Sequence, residues 1–555
     1  MSSPSKTKPQ AQKLRFRLVK SGVIFAFVAL SLRLMWVQGV LHAELMQIAD
    51  RRSSVPVSVD SRRFRILDRN SYPIAENVQV YSCFADPSLI HDKAGASRAL
   101  ASAFGMDESG VRRKLAGGRF VWIKRNVSPT AAATLKLRKI PGIGFRLEIR
   151  RHYPSGPLAS HLLGMVGIDG DGLSGVEQAF DTSLNPKRTP GTIPAGNVRL
   201  TIDSTIQRIA ERELDWGARK TGAKRGTVLV QDPWSGEILA MASWPPMSLE
   251  PERPPKSGEM RVPALVDSFE PGSTFKIVTA AAAIEEKLVK PGELFNGENG
   301  KWKVYDRVIH DHEPRKLMTF EDIIIYSSNI GTAKLADRIG SDRLYQYARL
   351  FGFGVLPGSC LPFESKGMLR PPSKWSGISK YTVSFGQEIS VTALQLIGAY
   401  SVIANGGILM EPRIVSAVVN DEGEAIWRNP GAEVRRAISA ETAAKITHAL
   451  TLVVQKGTGV NAQVQWDTAT QVAGKTGTAQ KFDRIKKCYS DTLTLVSFCG
   501  FFPAEKPKYV MVVILDEPEG KGWGSLDAAP VFRRIAEQLS PALVANGAAD
   551  GNRPG

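Results

Sequence analysis

The sequence predicts an α+β protein: an antiparallel sheet with helices packed on it, in a chain of two or three domains behind one membrane-crossing helix. Three observations carry this. Over residues 200–545, two strand patterns, a long and mostly helical stretch, three further strand patterns and a closing helix follow one another. The 555 residues exceed what one ordinary domain holds. Near the N-terminus an apolar run over 18–41 is long enough to span a bilayer.

Residues 1–17 form a polar, basic tail (Lys6, Lys8, Lys13, Arg15, Arg17), and no acidic residue precedes Glu44. The basic flank puts the N-terminus in the cytoplasm and the bulk of the chain outside. Arg33 interrupts the apolar run. A central arginine costs about 2.5–3.5 kcal/mol on the insertion scale, which is relieved by snorkelling or by contact with another membrane helix. A cleaved signal peptide is the competing reading, but no small-x-small cleavage pattern follows the run.

Residues 42–199 mix short strand patterns with polar turns and read as a separate module. The stretch "LTIDSTIQRIAERELDWGARK" has the apolar period of an amphipathic helix. Gly226 to Val230 and Ile238 to Ala242 read as strands joined by the turn Asp232-Pro233-Trp234-Ser235-Gly236. Residues 245–263 are proline-rich and loop-like, and 319–460 read as mostly helical. Three strands follow, around Lys475–Lys481, Thr492–Phe502 and Tyr509–Asp516, then a helix from about Ala528 to Leu543. The Gly- and Ala-rich residues 546–555 read as a disordered tail.

Composition is that of a folded protein, 43% hydrophobic and 23% charged. The net charge of +18 favours an anionic setting such as a lipid surface or an acidic polymer. No nucleic-acid module is recognisable. The four cysteines, Cys83, Cys360, Cys488 and Cys499, lack metal spacing; free thiols and a Cys488–Cys499 disulfide both stay open.

The chemistry centres on Glu270-Pro271-Gly272-Ser273-Thr274-Phe275-Lys276. A Pro-Gly turn leads into an alanine-rich helical run, so Ser273 and Lys276 share a helix face three residues apart. Serine is a weak nucleophile until a base takes its proton. An amine serves as that base when burial or neighbouring positive charge disfavours its charged form. The S-x-x-K spacing alone is unspecific, and Ser3 and Lys6 repeat it in the tail. The order of motifs is what selects Ser273: Ser327-Ser328-Asn329 and then Lys475-Thr476-Gly477-Thr478 follow it. Each partner also has a structural reading: a helix cap for Ser327, a loop hydrogen-bonder for Asn329, a plain edge strand around Lys475. No Ser-His-Asp triad and no H-E-x-x-H is present.

The ordered triplet resembles the penicillin-recognising serine transpeptidases and β-lactamases. The surrounding "FEPGSTFK", "YSSN" and "AGKTGTAQ" resemble the class B penicillin-binding proteins, most of all their cell-division branch. Arg151-x-Tyr153-Pro154-x-Gly156, His161-x-x-Gly164 and Gly172-x-x-Gly175-x-Glu177 match the pedestal of that class, and Arg63 to Asn70 matches it more loosely, with Phe64 and Ser71 where glycine is usual; the arginines and the glutamate read as ion pairs that hold a stalk. The resemblance implies an elongated, non-catalytic pedestal (dimerisation-like) domain over 42–199 and a penicillin-binding transpeptidase domain over 200–545, with a five-stranded antiparallel sheet packed with helices. The first module leaves no room for a glycosyltransferase domain beside the pedestal.

The implied activity is D,D-transpeptidation of peptidoglycan stem peptides through a serine acyl-enzyme during septal wall synthesis, with no cofactor or metal. Ser273 is then the nucleophile, Lys276 its base and Ser327 a proton relay. Asn329, Lys475, Thr476, Gly477 and Thr478 bind substrate, and Gly477 lets it lie against the strand. The backbone N–H groups of Ser273 and Thr478 form the oxyanion hole. Implied partners are stem peptides and their lipid-linked precursor, β-lactams as inhibitors, a membrane glycosyltransferase polymerase and division-site proteins. The implied location is a bacterial inner membrane, crossed once, with the catalytic domain periplasmic. Glu388, in "SFGQEIS", departs from the small residue of many relatives. The alternatives are a side-wall transpeptidase, a β-lactamase or β-lactam sensor, and a non-catalytic division scaffold. No E-x-x-L-N-like segment follows the S-x-N motif to position a deacylating water.

Overall fold

The structure, a computed structural model, describes residues 8–39, 41, 63–118, 120–167, 170–181, 196–250, 255–465, 470–483 and 488–550. The chain divides into two units, 1–61 and 62–555. In the first, one helix runs Lys8–Gly39, and its Leu14–Gly39 part is long and apolar enough to cross a membrane. Part of the tail expected over 1–17 is therefore helical. Pro9 sits where a first helical turn tolerates it, and Gln10, Ala11, Gln12 and Lys13 are good helix formers.

The second unit begins with a seven-stranded sheet. Its order is Ala425–Arg428, Val415–Val419, Asn197–Leu200, Ile66–Leu67, Pro73–Ala85 and Val121–Val127, with Ile143–His152 also pairing on the long strand Pro73–Ala85. Helices Lys93–Phe104, Glu108–Lys114 and Pro129–Leu137 accompany it, N-capped by Asp92, Asp107 and Ser128. Cys83, Leu100, Ile123 and Leu135 form their shared core. Nearby, Glu177 is wholly buried and accepts from Arg63 Nε and Arg151 Nε at 2.6 Å each, while Arg63 also pairs with Asp181. These are the arginine and glutamate pairs of the pedestal motifs.

A five-stranded antiparallel sheet follows, ordered Ala473–Asp483, Cys488–Phe502, Tyr509–Asp516, Arg225–Gln231, Ile238–Trp244. The early pair of strands thus closes onto the last one, with Val510 opposite Gln231. Side chains alternate along the Tyr509–Asp516 strand. Val510, Val512 and Ile514 join one core with Tyr400 and the Lys276–Glu285 helix; Met511, Val513 and Leu515 join another with Ile206, Leu214 and Phe532. Both faces are covered by helices, which is why this strand reads as an unbroken apolar run.

Two expectations change. Residues 319–460 are less helical than their composition suggests. They include the strands Val415–Val419 and Ala425–Arg428 and the pair Ile408–Met410 with Glu433–Arg436. A short buried apolar run looks alike as helix or strand. Here pairing with the distant Asn197–Leu200 decides, Val418 lying opposite Val198. The closing helix runs Ala529–Asp550, so the expected disordered tail is helical as far as Asp550, in keeping with its alanine content. Residues 551–555 lie outside the described residues. All four cysteines are free thiols.

Candidate active site

Ser273 sits in a tight 3-10 turn, Gly272–Phe275, that feeds the helix Lys276–Glu285. The turn is braced on every side. Gly272 takes a φ of 55° and donates its N–H to Gly386 O at 3.1 Å. Thr274 Oγ1 donates to Pro271 O at 2.7 Å, and the buried Tyr400 hydroxyl donates to Thr274 O at 3.0 Å. The edge strand Ala473–Asp483 lies against this turn. A Cβ on Gly477 would come within 2.4 Å of Ser497 Oγ, 2.9 Å of Thr274 Cγ2 and 3.2 Å of Pro271 O. The sequence reading gave Gly477 to close approach of substrate. The structure adds a constraint of its own: the Gly272–Phe275 turn and Ser497 already fill the space a side chain there would need.

Lys276 is wholly buried. Its Nζ donates to Ser327 O at 2.6 Å, Ser327 Oγ at 3.2 Å and Asn329 Oδ1 at 2.8 Å. Two of the three motifs therefore meet at one amine. Ser327 has a φ of 59°, a left-handed conformation that costs a non-glycine residue about 1–3 kcal/mol. That conformation turns its carbonyl and hydroxyl toward the amine together. No hydrogen bond joins Ser273 Oγ to Lys276 among the described residues; the direct contact expected from the i, i+3 spacing is replaced by three acceptors on the 327–329 turn. Burial, and secondly the charge of Lys475, hold the Lys276 amine well below the usual lysine range, against an opposing pull from Asp311.

Lys475 is also wholly buried on the sheet edge, its Nζ donating to Thr476 O at 3.2 Å. Burial pushes its pKa down to about 7. Its charge at neutrality is therefore partial, and so is the repulsion it exerts on Lys276. Neither lysine has a salt bridge among the described residues. Thr476 Oγ1 donates to Thr458 Oγ1 at 2.9 Å, and Thr478 Oγ1 accepts the Gly524 N–H at 3.2 Å. Ser273, Asn329 and Thr478 remain partly exposed, so the cluster is open to an incoming molecule.

Several contributors escaped the sequence reading. Asp311 accepts from Ser328 Oγ, Asn329 N and Ile330 N, and His310 O accepts Asn329 Nδ2 at 2.9 Å. Trp523 and His312 face each other with ring centroids 4.5 Å apart. A polar "HDHE" run gives no local sign of these contacts, because its partners belong to another element. Glu388 also takes a left-handed φ of 59°, a conformation that a small residue such as glycine adopts at lower cost. Its carboxylate accepts from Ser379 Oγ at 2.8 Å and Thr382 Oγ1 at 2.7 Å and pairs with Arg370, so it points into that clamp. Its N–H donates to Glu270 Oε1 at 3.0 Å, as does the Tyr489 hydroxyl at 3.0 Å. No group of His, Cys, Asp or Glu able to hold a metal ion occurs among the described residues.

Residues 226–537 match the family described as penicillin binding protein transpeptidase domain, and residues 58–190 match penicillin-binding protein dimerisation domain. Stage V sporulation protein D of Bacillus subtilis is 32% identical, over 94% of this chain and 84% of that protein. Peptidoglycan D,D-transpeptidase FtsI of Escherichia coli is 30% identical, over 96% of this chain and 94% of that protein. Among solved structures, penicillin binding protein 3 of Mycobacterium tuberculosis complexed with aztreonam superposes with a TM-score of 0.69 at 29% identity, covering 87% of this chain and 97% of that one.

Proposed function

The chain belongs to the class B penicillin-binding proteins as a serine-type peptidoglycan D,D-transpeptidase, and from that premise we propose that it cross-links stem peptides at the division septum, with Ser273 as nucleophile. The observation that carries the site assignment is the buried Lys276 amine, bonded to Ser327 and Asn329 beside the braced Ser273 turn. In this reading Lys276 takes the Ser273 proton as the hydroxyl oxygen attacks the penultimate D-alanine carbonyl. Ser327 passes a proton to the departing D-alanine nitrogen as the peptide bond breaks. An amine of a neighbouring strand then attacks the ester and frees the serine. Asn329 holds the substrate amide, and the N–H groups of Ser273 and Thr478 hold the oxyanion.

Lys475, Thr476 and Thr478 receive the terminal carboxylate, against a strand that Gly477 lets close on the nucleophile turn. A carboxylate docking near Lys475 raises the affinity of that amine for a proton. Substrate then completes the positive charge that an empty site holds only in part. A β-lactam acylates the same serine. The domain reading that goes with this is a tail over 1–17, an anchor over 18–41 with the N-terminus cytoplasmic, a pedestal over 42–199, a periplasmic transpeptidase domain over 200–545 and a tail over 546–555. The apolar Leu14–Gly39 helix supports a single-pass anchor. A membrane glycosyltransferase polymerase and division-site proteins are its partners.

Labelling the full chain with a fluorescent penicillin, followed by peptide mapping, tests the site: a persistent adduct on Ser273 is expected. Rapid release of the label favours a β-lactamase, and full complementation by Ser273→Ala favours a scaffold. Depletion in the native host tests the septal role: filaments are expected, and rounded cells would move the enzyme to the side wall.

A further inference from the structure

Asn329 and Ser327 present their oxygens to Lys276 from a turn that is also held from outside. Ser328 caps the helix Asn329–Ile339 by accepting the Gly331 N–H at 2.8 Å, which leaves the N–H groups of Asn329 and Ile330 for another acceptor. Asp311 supplies it. One carboxylate oxygen accepts both N–H groups, the second at 3.0 Å, and the other accepts the Ser328 hydroxyl. The preceding residue, His310, fixes the far end of the Asn329 amide through its carbonyl, 2.9 Å away. Asp311 is itself anchored by its N–H to Gly300 O at 3.1 Å, at the end of the hairpin made by Lys301–Val304 and Arg307–His310. The turn 327–329 is thus held by the Asp311 carboxylate through Ser328 and Asn329 and by the Lys276 amine through Ser327 and Asn329.

We propose that Asp311 is a positioning residue of the reaction, its carboxylate shaping the Ser327–Asn329 turn into the form that receives the Lys276 amine. The inference rests on the assignment of Ser273 and Lys276 given above. Geometry makes Asp311 more than a cap, because Asn329 gives its N–H to Asp311 and its Oδ1 to Lys276, so one residue joins the carboxylate to the amine; among the described residues Asp311 is also the acid whose charge bears on Lys276. The charged groups that bear on this amine are Lys475 from the sheet edge and Asp311 from the hairpin end, with opposite signs. Lys475 favours the neutral base; Asp311 favours the protonated one. Asp311 therefore carries two effects that a substitution separates. Asp311→Asn keeps an oxygen for the backbone N–H groups and removes the charge. Asp311→Ala removes both.

The test is the acylation rate of the full chain by a fluorescent penicillin, followed from pH 5 to 10, with Ser273 confirmed as the labelled residue by peptide mapping. With the opposing charge gone, Lys276 loses its proton at lower pH, so the acidic limb of the Asp311→Asn profile moves to lower pH than in the unaltered chain. Asp311→Ala is expected to lower kcat/KM for a stem-peptide substrate by about 10²-fold, the scale of a misplaced catalytic geometry. A purely structural role would lower the height of the profile without moving it. An Asp311→Asn limb superimposable on that of the unaltered chain overturns the proposal, whatever its height. If Asp311→Ala fails to fold by thermal denaturation, the Asp311→Asn profile alone decides. Absence of labelling at Ser273 in the unaltered chain overturns the functional reading, and this inference with it.

Discussion

Two clusters of buried charge face different tasks in this protein. In the pedestal, Arg63 and Arg151 share the wholly buried Glu177, and Asp181 completes the set. In the candidate active site, Lys276 and Lys475 are equally buried and neither has a salt bridge among the described residues. The first cluster is closed: its opposite charges pair at hydrogen-bonding distance, so it holds segments 63, 151 and 177 in register. The second is left open. Burial without a salt-bridging partner weakens the hold of an amine on its proton, which is what a base needs. Both cost desolvation. The pedestal recovers that cost as structure, whereas the active site keeps it as reactivity.

Breaking the closed cluster has the largest expected effect on stability. Glu177→Ala leaves the buried Arg151 guanidinium without a carboxylate and Arg63 with Asp181 alone, and a loss of about 3–5 kcal/mol is expected in urea denaturation of the full chain. A midpoint unchanged from the unaltered protein would show that water replaces the carboxylate and that the cluster is not what fixes the pedestal. Lys276→Met breaks the open one: acylation by a fluorescent penicillin should fall by about 10²- to 10⁴-fold, the range of general-base catalysis. Its urea midpoint should move far less than that of Glu177→Ala, since no buried counter-charge is stranded. A loss of stability as large as that of Glu177→Ala would erase the distinction between the two clusters.

The pH dependence of stability sharpens the comparison. Lys475 has a pKa of about 7 in the fold, against about 10.4 in an unfolded chain. Between those values the unfolded chain binds more protons, so the contribution of this group to stability rises with pH across the window. Urea denaturation at pH 7 and pH 9.5 should register the rise, and Lys475→Met should reduce it, the part owed to the equally buried Lys276 remaining; an equal rise in the variant refutes the assignment. The smallest effect concerns the packing beneath the site. Ser497 Oγ is buried with no hydrogen-bond partner. Ser497→Ala should therefore be neutral or stabilising, by up to about 1 kcal/mol in thermal denaturation. Gly477→Ala should destabilise by about 1–3 kcal/mol through overpacking. The double variant should recover part of that, because Ser497 Oγ is the atom nearest the added methyl.

Much of this was legible in the residues. Two strands, a helical insertion and three strands could be read because each element carries its own period, and the order of Ser273, Ser327 and Lys475 picked out the site. The strand Val415–Val419 could not be read, since its partner Asn197–Leu200 lies far away in sequence. The surroundings of Lys276 were half legible. The spacing put Lys276 beside Ser273 on one helix face, yet the amine instead faces Ser327 and Asn329. Asp311 left no trace at all, because nothing in "HDHE" foretells which helix end it will meet.

The sequence by itself determined which groups this protein has for chemistry and in what order they occur, because motif spacing and local periodicity are properties of the chain. Tertiary structure alone decided their state. Whether Lys276 is an exposed cation or a buried base depends on what surrounds it, and Ser327, Asp311 and Lys475 reach it from three separate segments. Proton affinity is set by solvation and by charges across space, and neither is written in the order of residues along a strand.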